Sequence, residues 1–196
     1  MYELLPRRLL AAIALTTVVA LGGCATMLGA VSDEDGYQTP ETDRTIGRAI
    51  DDEVIENVAL VNIRKASEGL ADSHIRVTSF NGIVLLTGQV RAQPLKRQAE
   101  EVTMQLRNVR RVYNELEVAG PTSLLARSGD GWVNTKVKAR LIANESAPGR
   151  DIRVVTENGV VYLMGLIRRN DADAAAEIAR NIGGVVKVVR MFEYVD

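Results

Sequence analysis

Two stretches of this chain alternate apolar and polar residues at the two-residue period of a β-strand, and each is interrupted at its middle by Asn-Gly. They are Ile75-Arg-Val-Thr-Ser-Phe-Asn-Gly-Ile-Val-Leu-Leu-Thr-Gly88 and Ile152-Arg-Val-Val-Thr-Glu-Asn-Gly-Val-Val-Tyr-Leu-Met-Gly165. Asn-Gly between strand-like runs predicts a two-residue hairpin, because a type I′ turn needs positive φ at both central residues. That loop length fixes the pairing. Val77 then faces Leu86, Val154 faces Leu163, and Gly88 and Gly165 fall opposite Ile75 and Ile152, where the chain is expected to leave the sheet.

After each hairpin the apolar period lengthens to that of a helix. Leu95, Ala99, Val102 and Leu106 form one stripe; Ala172, Ala176, Ala179 and Ile182 form a second, whose small residues allow close packing on a sheet. A third strand is predicted near Val112–Val118 and Val186–Val195, and a helix precedes each hairpin, around Ile46–Ala66 and Gly131–Asn144. The order α-β-β-α-β occurs twice. It predicts an α+β fold of two tandem modules, each a small three-stranded mixed sheet with two helices on one face and its own small core.

The remainder of the chain has a different character. Arg7 and Arg8 precede an apolar run from Leu9 to Leu21, short for a bilayer span and proportioned like a secretory signal. Leu21-Gly22-Gly23-Cys24 resembles the bacterial lipobox, in which the cysteine is acylated and becomes the new N-terminus. Cys24 is the chain's only cysteine, so no internal disulfide is available and acylation gives the thiol a use. Ala25, where an Asp usually implies inner-membrane retention, points by the same resemblance to the outer membrane. Residues 25–42 carry glycines, a proline and four acids without periodicity, which predicts a tether with a reach of roughly 25 Å. The expected domains are therefore a signal peptide over 1–23, a lipidated N-terminus and tether over 24–42, and modules over 43–120 and 129–196.

The doubled I-x-V-x-x-x-N-G-x-V-x-L-x-G pattern, with V-x-x-V opening the last strand, resembles the BON domain. The most specific segments are Thr156–Leu166 and Gly131-Trp-Val-Asn-Thr-Lys-Val137; in the first copy the leading helix lacks the Trp and is shifted by about one residue. Lipobox, tether and two modules together are similar to dual-BON outer-membrane lipoproteins of the DolP type. The resemblance implies a lipid-anchored protein on the periplasmic face of the outer membrane that supports envelope integrity. It also implies ties to outer-membrane assembly or division-site proteins.

Charge and chemistry narrow the function. The whole chain has a formal charge of −1, too balanced for a nucleic-acid-binding surface. Cofactors and metals are not expected. No Cys/His cluster has ligand spacing, His74 is the only histidine, and no Gly-rich loop leads from strand to helix, so no catalytic residue is assigned. Asp51-Asp52-Glu53 reads as a solvated helix face. Residues 43–120 carry eleven basic and eleven acidic side chains, whereas 131–196 carry ten and eight. In the second copy's first helix, Val133, Val137 and Leu141 make a core stripe. Trp132, Lys136 and Arg140 run beside it, an indole next to cations as a membrane interface needs. The same residues also fit an indole that caps the core among ordinary solvated cations. The family resemblance implies anionic phospholipid binding through this helix and assigns it to Trp132, Lys136 and Val137; Arg140 joins them from spacing alone. A different reading rests on the second copy's sheet face away from the helices, where Val155, Val160, Tyr162, Met164, Phe192 and Tyr194 are expected. An apolar face of that kind requires a cover. The cover could be the first domain, a second molecule or another envelope protein, which makes a protein-interaction adaptor the alternative function.

Overall fold

The computed structural model describes residues 46–120, 124–144 and 148–195. The predicted signal peptide, Cys24, Ala25 and the tether lie outside them. The first module runs α1 (Ile46–Ala66), α2 (Glu68–Ala71), β1 (His74–Phe80), β2 (Ile83–Val90), α3 (Gln93–Met104), β3 (Arg111–Asn114) and β4 (Glu117–Val118). The second runs α4 (Leu124–Ile142), β5 (Arg153–Glu157), β6 (Val160–Ile167), α5 (Arg169–Arg180) and β7 (Lys187–Tyr194).

Both hairpins close at Asn-Gly. Asn81 and Gly82 have φ of 52° and 75°, and Asn158 and Gly159 have 49° and 74°. The pairing is the one that the turn dictates, with Val77 opposite Leu86, Ile75 opposite Gly88 and Val154 opposite Leu163. Neither glycine ends its strand, however, since β2 runs on to Val90 and β6 to Ile167. Gly88 adopts φ of 114°, and a Cβ there would stand 2.0 Å from the His74 carbonyl oxygen. Glycine is required where these two strands approach.

The last strand of each module returns through a helical crossover and pairs parallel to the second, so β2 and β6 are central. In the first module this strand is in two pieces that share one register, interrupted opposite Thr87 and Gly88.

Each module has its own core on its helix face. Ile55, Ala59 and Ile63 of α1 meet Val77, Val84 and Leu86 and Ala99 of α3. In the second module Val133, Val137 and Leu141 of α4 meet Val154, Val161 and Leu163 and Ala172, Ala175 and Ala179 of α5. The two helices correspond at a separation of 78 residues, one more than the hairpins, which accounts for the shift seen in the sequence. A third cluster joins the sheets: Phe80, Ile83 and Leu85 from the first, Val155, Tyr162, Met164 and Met191 from the second. The arrangement is helix layer, sheet, sheet, helix layer. All three clusters close within residues 46–195, so this stretch carries its own cores.

Polar groups ring the sheet-to-sheet cluster. Gln89 Nε2 donates to Glu157 Oε1 at 2.9 Å, and Asn158 Nδ2 to Glu117 at 2.7 Å. Arg153 pairs with Glu56 at 2.9 Å, and Arg110 with Glu193 at 2.7 Å. Asn81 Nδ2 donates to Glu193 as Asn158 does to Glu117. Each module's turn asparagine therefore caps the other's last strand, a pseudo-twofold relation.

Candidate lipid-binding face

The second module's α4 owes its position to two anchors. Its apolar stripe is sealed in the core; Val137 and Leu141 have no exposed surface. At the start of the stripe, the Asp130 carboxylate accepts from the backbone N–H groups of Asn158 and Gly159, both at 2.8 Å. These donors belong to the hairpin turn, so the helix is locked to the sheet at its tip. Asp52 does the same in the first module, accepting from Ser79 Oγ at 2.6 Å, Asn81 N at 2.7 Å and Gly82 N at 2.9 Å. Asp52 is buried, which corrects its reading as part of a solvated acidic face. Turn N–H groups need an acceptor, and a helix carboxylate supplies it.

Trp132 lies outside the core, 65% exposed. The indole is thus not the cap on the core that the sequence left possible. Lys136 Nζ sits 5.6 Å from the centre of its ring and donates to the Gly183 carbonyl at 2.9 Å. An ammonium over an indole face is held by the ring's quadrupole, and the carbonyl uses only one of its three protons. Arg140 is exposed one turn further on and has no ion-pair partner among the described residues. Gly131 to Asn144 contains no acid. Lys138 points elsewhere, donating to the carbonyls of Gly149 and Ile152, and partial burial lowers its pKa. Val137, which the resemblance placed among the lipid contacts, is fully buried. It can only hold the helix in place.

At the 78-residue separation, Val54, Val58 and Asn62 of α1 occupy the places of Trp132, Lys136 and Arg140. The first module offers neither indole nor cation there.

The apolar sheet face of the second module is covered by the first. Tyr162 and Met164 are buried between the sheets. Burial, with the carboxylates of Glu115, Glu117 and Glu157 nearby, pushes the Tyr162 phenol well above its ordinary range. Phe192 and Tyr194 are not on that face at all. Parallel pairing sets Val188 opposite Val161 and Val189 opposite Tyr162, so Val189 and Met191 turn toward the first module while Phe192 packs on the helix-side core. Tyr194 stacks under Arg169, whose guanidinium carbon is 4.5 Å from the ring centre. The four residues therefore do not form one open protein-binding face.

No helix of the described residues is long and apolar enough to cross a membrane. Among them, no three His, Cys, Asp or Glu residues are grouped to hold a metal ion.

Residues 51–120 and 129–196 each match the family model described as BON domain. The chain is 35% identical, over 94% of its length and 95% of the relative's, to the protein called outer membrane lipoprotein DolP of Haemophilus influenzae. It is 34% identical to the 21 kDa hemolysin of Actinobacillus pleuropneumoniae over 84% of both chains. With the osmotically-inducible protein Y of Escherichia coli it shares 28% identity over 91% of both chains.

Proposed function

The chain belongs to the BON-domain family, and we propose that it is an outer-membrane lipoprotein, acylated at Cys24, that binds anionic phospholipid through its second module. The envelope setting is supported by the similarity to DolP over nearly the whole length of both chains, and by the lipobox-like residues before Cys24. Its role is to support outer-membrane integrity from the periplasmic face.

One observation carries the lipid assignment: the chain's only tryptophan stands 65% exposed beside Lys136, with Arg140 one turn along. A buried apolar anchor would be expected to hide an indole. An exposed one flanked by cations suits the headgroup region, where the ring sits at the interface and the cations meet phosphate. Each cation near an anionic surface is worth about 1 kcal/mol. Lys136 and Arg140 together supply about 2 kcal/mol, a Kd of about 30 mM, and the indole's own contribution moves this toward the millimolar range. An acyl anchor on a short tether supplies an effective concentration of about that order, so weak contact suffices.

The test uses residues 43–196 without lipid modification. Trp132 emission should shift blue on mixing with anionic vesicles and less with zwitterionic ones at equal lipid, and added salt should weaken the anionic shift as it screens the charges. Lys136→Glu with Arg140→Glu should abolish the preference for anionic vesicles. Trp132→Ala should lower affinity for both vesicle types with circular dichroism unchanged. An emission that ignores anionic vesicles would defeat the proposal.

A further inference from the structure

Between α4 and the turn after α5 lies a trough of about 400 Å³ lined by Lys136, Ala139, Arg140, Ala143 and Ile182. From this geometry we propose that the second module seats one phospholipid molecule here, with its phosphate between Lys136 and Arg140 and the upper part of one acyl chain along Ala139, Ala143 and Ile182. This rests on the lipid reading above but says more: beside the adhesion of Trp132 and the two cations to a surface, it adds a one-to-one lipid site.

Three features carry it. The cations lie at i and i+4 on one edge of α4, so both reach the same side of the trough. Its floor is apolar, and two of its three apolar residues are alanines, which leave space where larger side chains would fill it. Finally, the turn at Gly183 and Gly184 brings the end of α5 close to α4. Gly184 adopts φ of 99°, and a Cβ there would stand 2.8 Å from Val133 Cγ2. Lys136 is fixed to the Gly183 carbonyl across this gap, which positions its ammonium at the mouth of the trough. A free anion would have no use for the apolar floor, and a fatty chain alone would have none for the cations. A phospholipid uses both. The volume is within the range of sites that hold small ligands.

The experiment uses residues 43–196 with ¹³C-labelled alanine methyls and a probe that stays monomeric, lysophosphatidylglycerol with a twelve-carbon chain, below its micelle threshold. The Ala139 and Ala143 methyls should shift with saturation at one probe per protein. Inorganic phosphate in hundredfold excess should not reproduce those shifts. Ala139→Gln with Ala143→Gln fills the trough at exposed helix positions without adding charge or apolar surface. It should weaken monomer binding at least tenfold and leave sedimentation with anionic vesicles within about twofold of the unmodified protein. Vesicle binding without a saturable monomer shift, or equal monomer binding by the filled variant, would overturn the lipid seat while leaving the surface reading intact. Loss of vesicle binding by the unmodified protein would overturn both.

Discussion

Asp52→Ala tests how the hairpin of the first module is fastened. Its carboxylate is buried and accepts from a hydroxyl and two turn N–H groups at 2.6–2.9 Å. Hydrogen bonds to a charged acceptor are worth about 1.5–3 kcal/mol each, and the donors left behind are partly screened from water. They are not additive, so the expected loss is roughly 3–5 kcal/mol, a large share of the 5–15 kcal/mol typical of a whole domain. Asp130→Ala removes two such bonds and should cost about 2–3 kcal/mol. The neighbouring Asp51, exposed in the same acidic run, is the control: Asp51→Ala should move stability by less than about 0.5 kcal/mol. Urea unfolding followed by circular dichroism gives the three values, and amide exchange gives the location. Asn81 and Gly82 should lose protection first in Asp52→Ala, and Asn158 and Gly159 in Asp130→Ala. If Asp52→Ala and Asp51→Ala unfold at the same urea concentration, the Asp52 carboxylate does not fasten the hairpin.

Other outcomes are expected. The unfolded Tyr162 phenol loses its proton near pH 10 while the folded one, raised by burial and by neighbouring carboxylates, keeps it. Stability should therefore fall above pH 10 by up to about 1.4 kcal/mol per pH unit, and Tyr162→Phe should flatten that fall in alkaline unfolding curves. Leu85→Ala, at the fully buried centre of the sheet-to-sheet cluster, should cost about 2–4 kcal/mol and loosen β6 as well as β2 in amide exchange; loss confined to the first module would mean that the sheets do not share a core. Cys24→Ala should leave the protein unacylated and free of membranes on fractionation, and intact mass of the unaltered protein should show a chain that begins at Cys24 with added acyl mass.

Features that depend on neighbours along the chain were legible before any tertiary contact was known. Asn81-Gly82 and Asn158-Gly159 set two hairpin registers because a two-residue turn leaves no freedom in the pairing of the strands that it joins. The stripes of α3 and α5 were legible because a helix brings i, i+3 and i+4 together wherever it sits. The family and the αββαβ order followed from the same local patterns.

Contacts between distant segments settled the rest. Val185, Val186, Val188 and Val189 show no alternation, and a strand that arrives through a crossover has no turn to fix its phase. Which of Met191 and Phe192 faces the first module could be settled only by the parallel ladder with β6. Asp52 looked like its exposed neighbours because nothing in a run of acids reveals which one meets a turn 29 residues later. Trp132 could have capped the core or stood in water; the answer depended on how α4 rolls once Asp130 grips the hairpin and Val137 fills the core. The cover on the second sheet was likewise invisible in either repeat alone, since it is made by Phe80, Ile83 and Leu85 from the other copy. Burial of a surface is a property of two surfaces, and a sequence lists them one at a time.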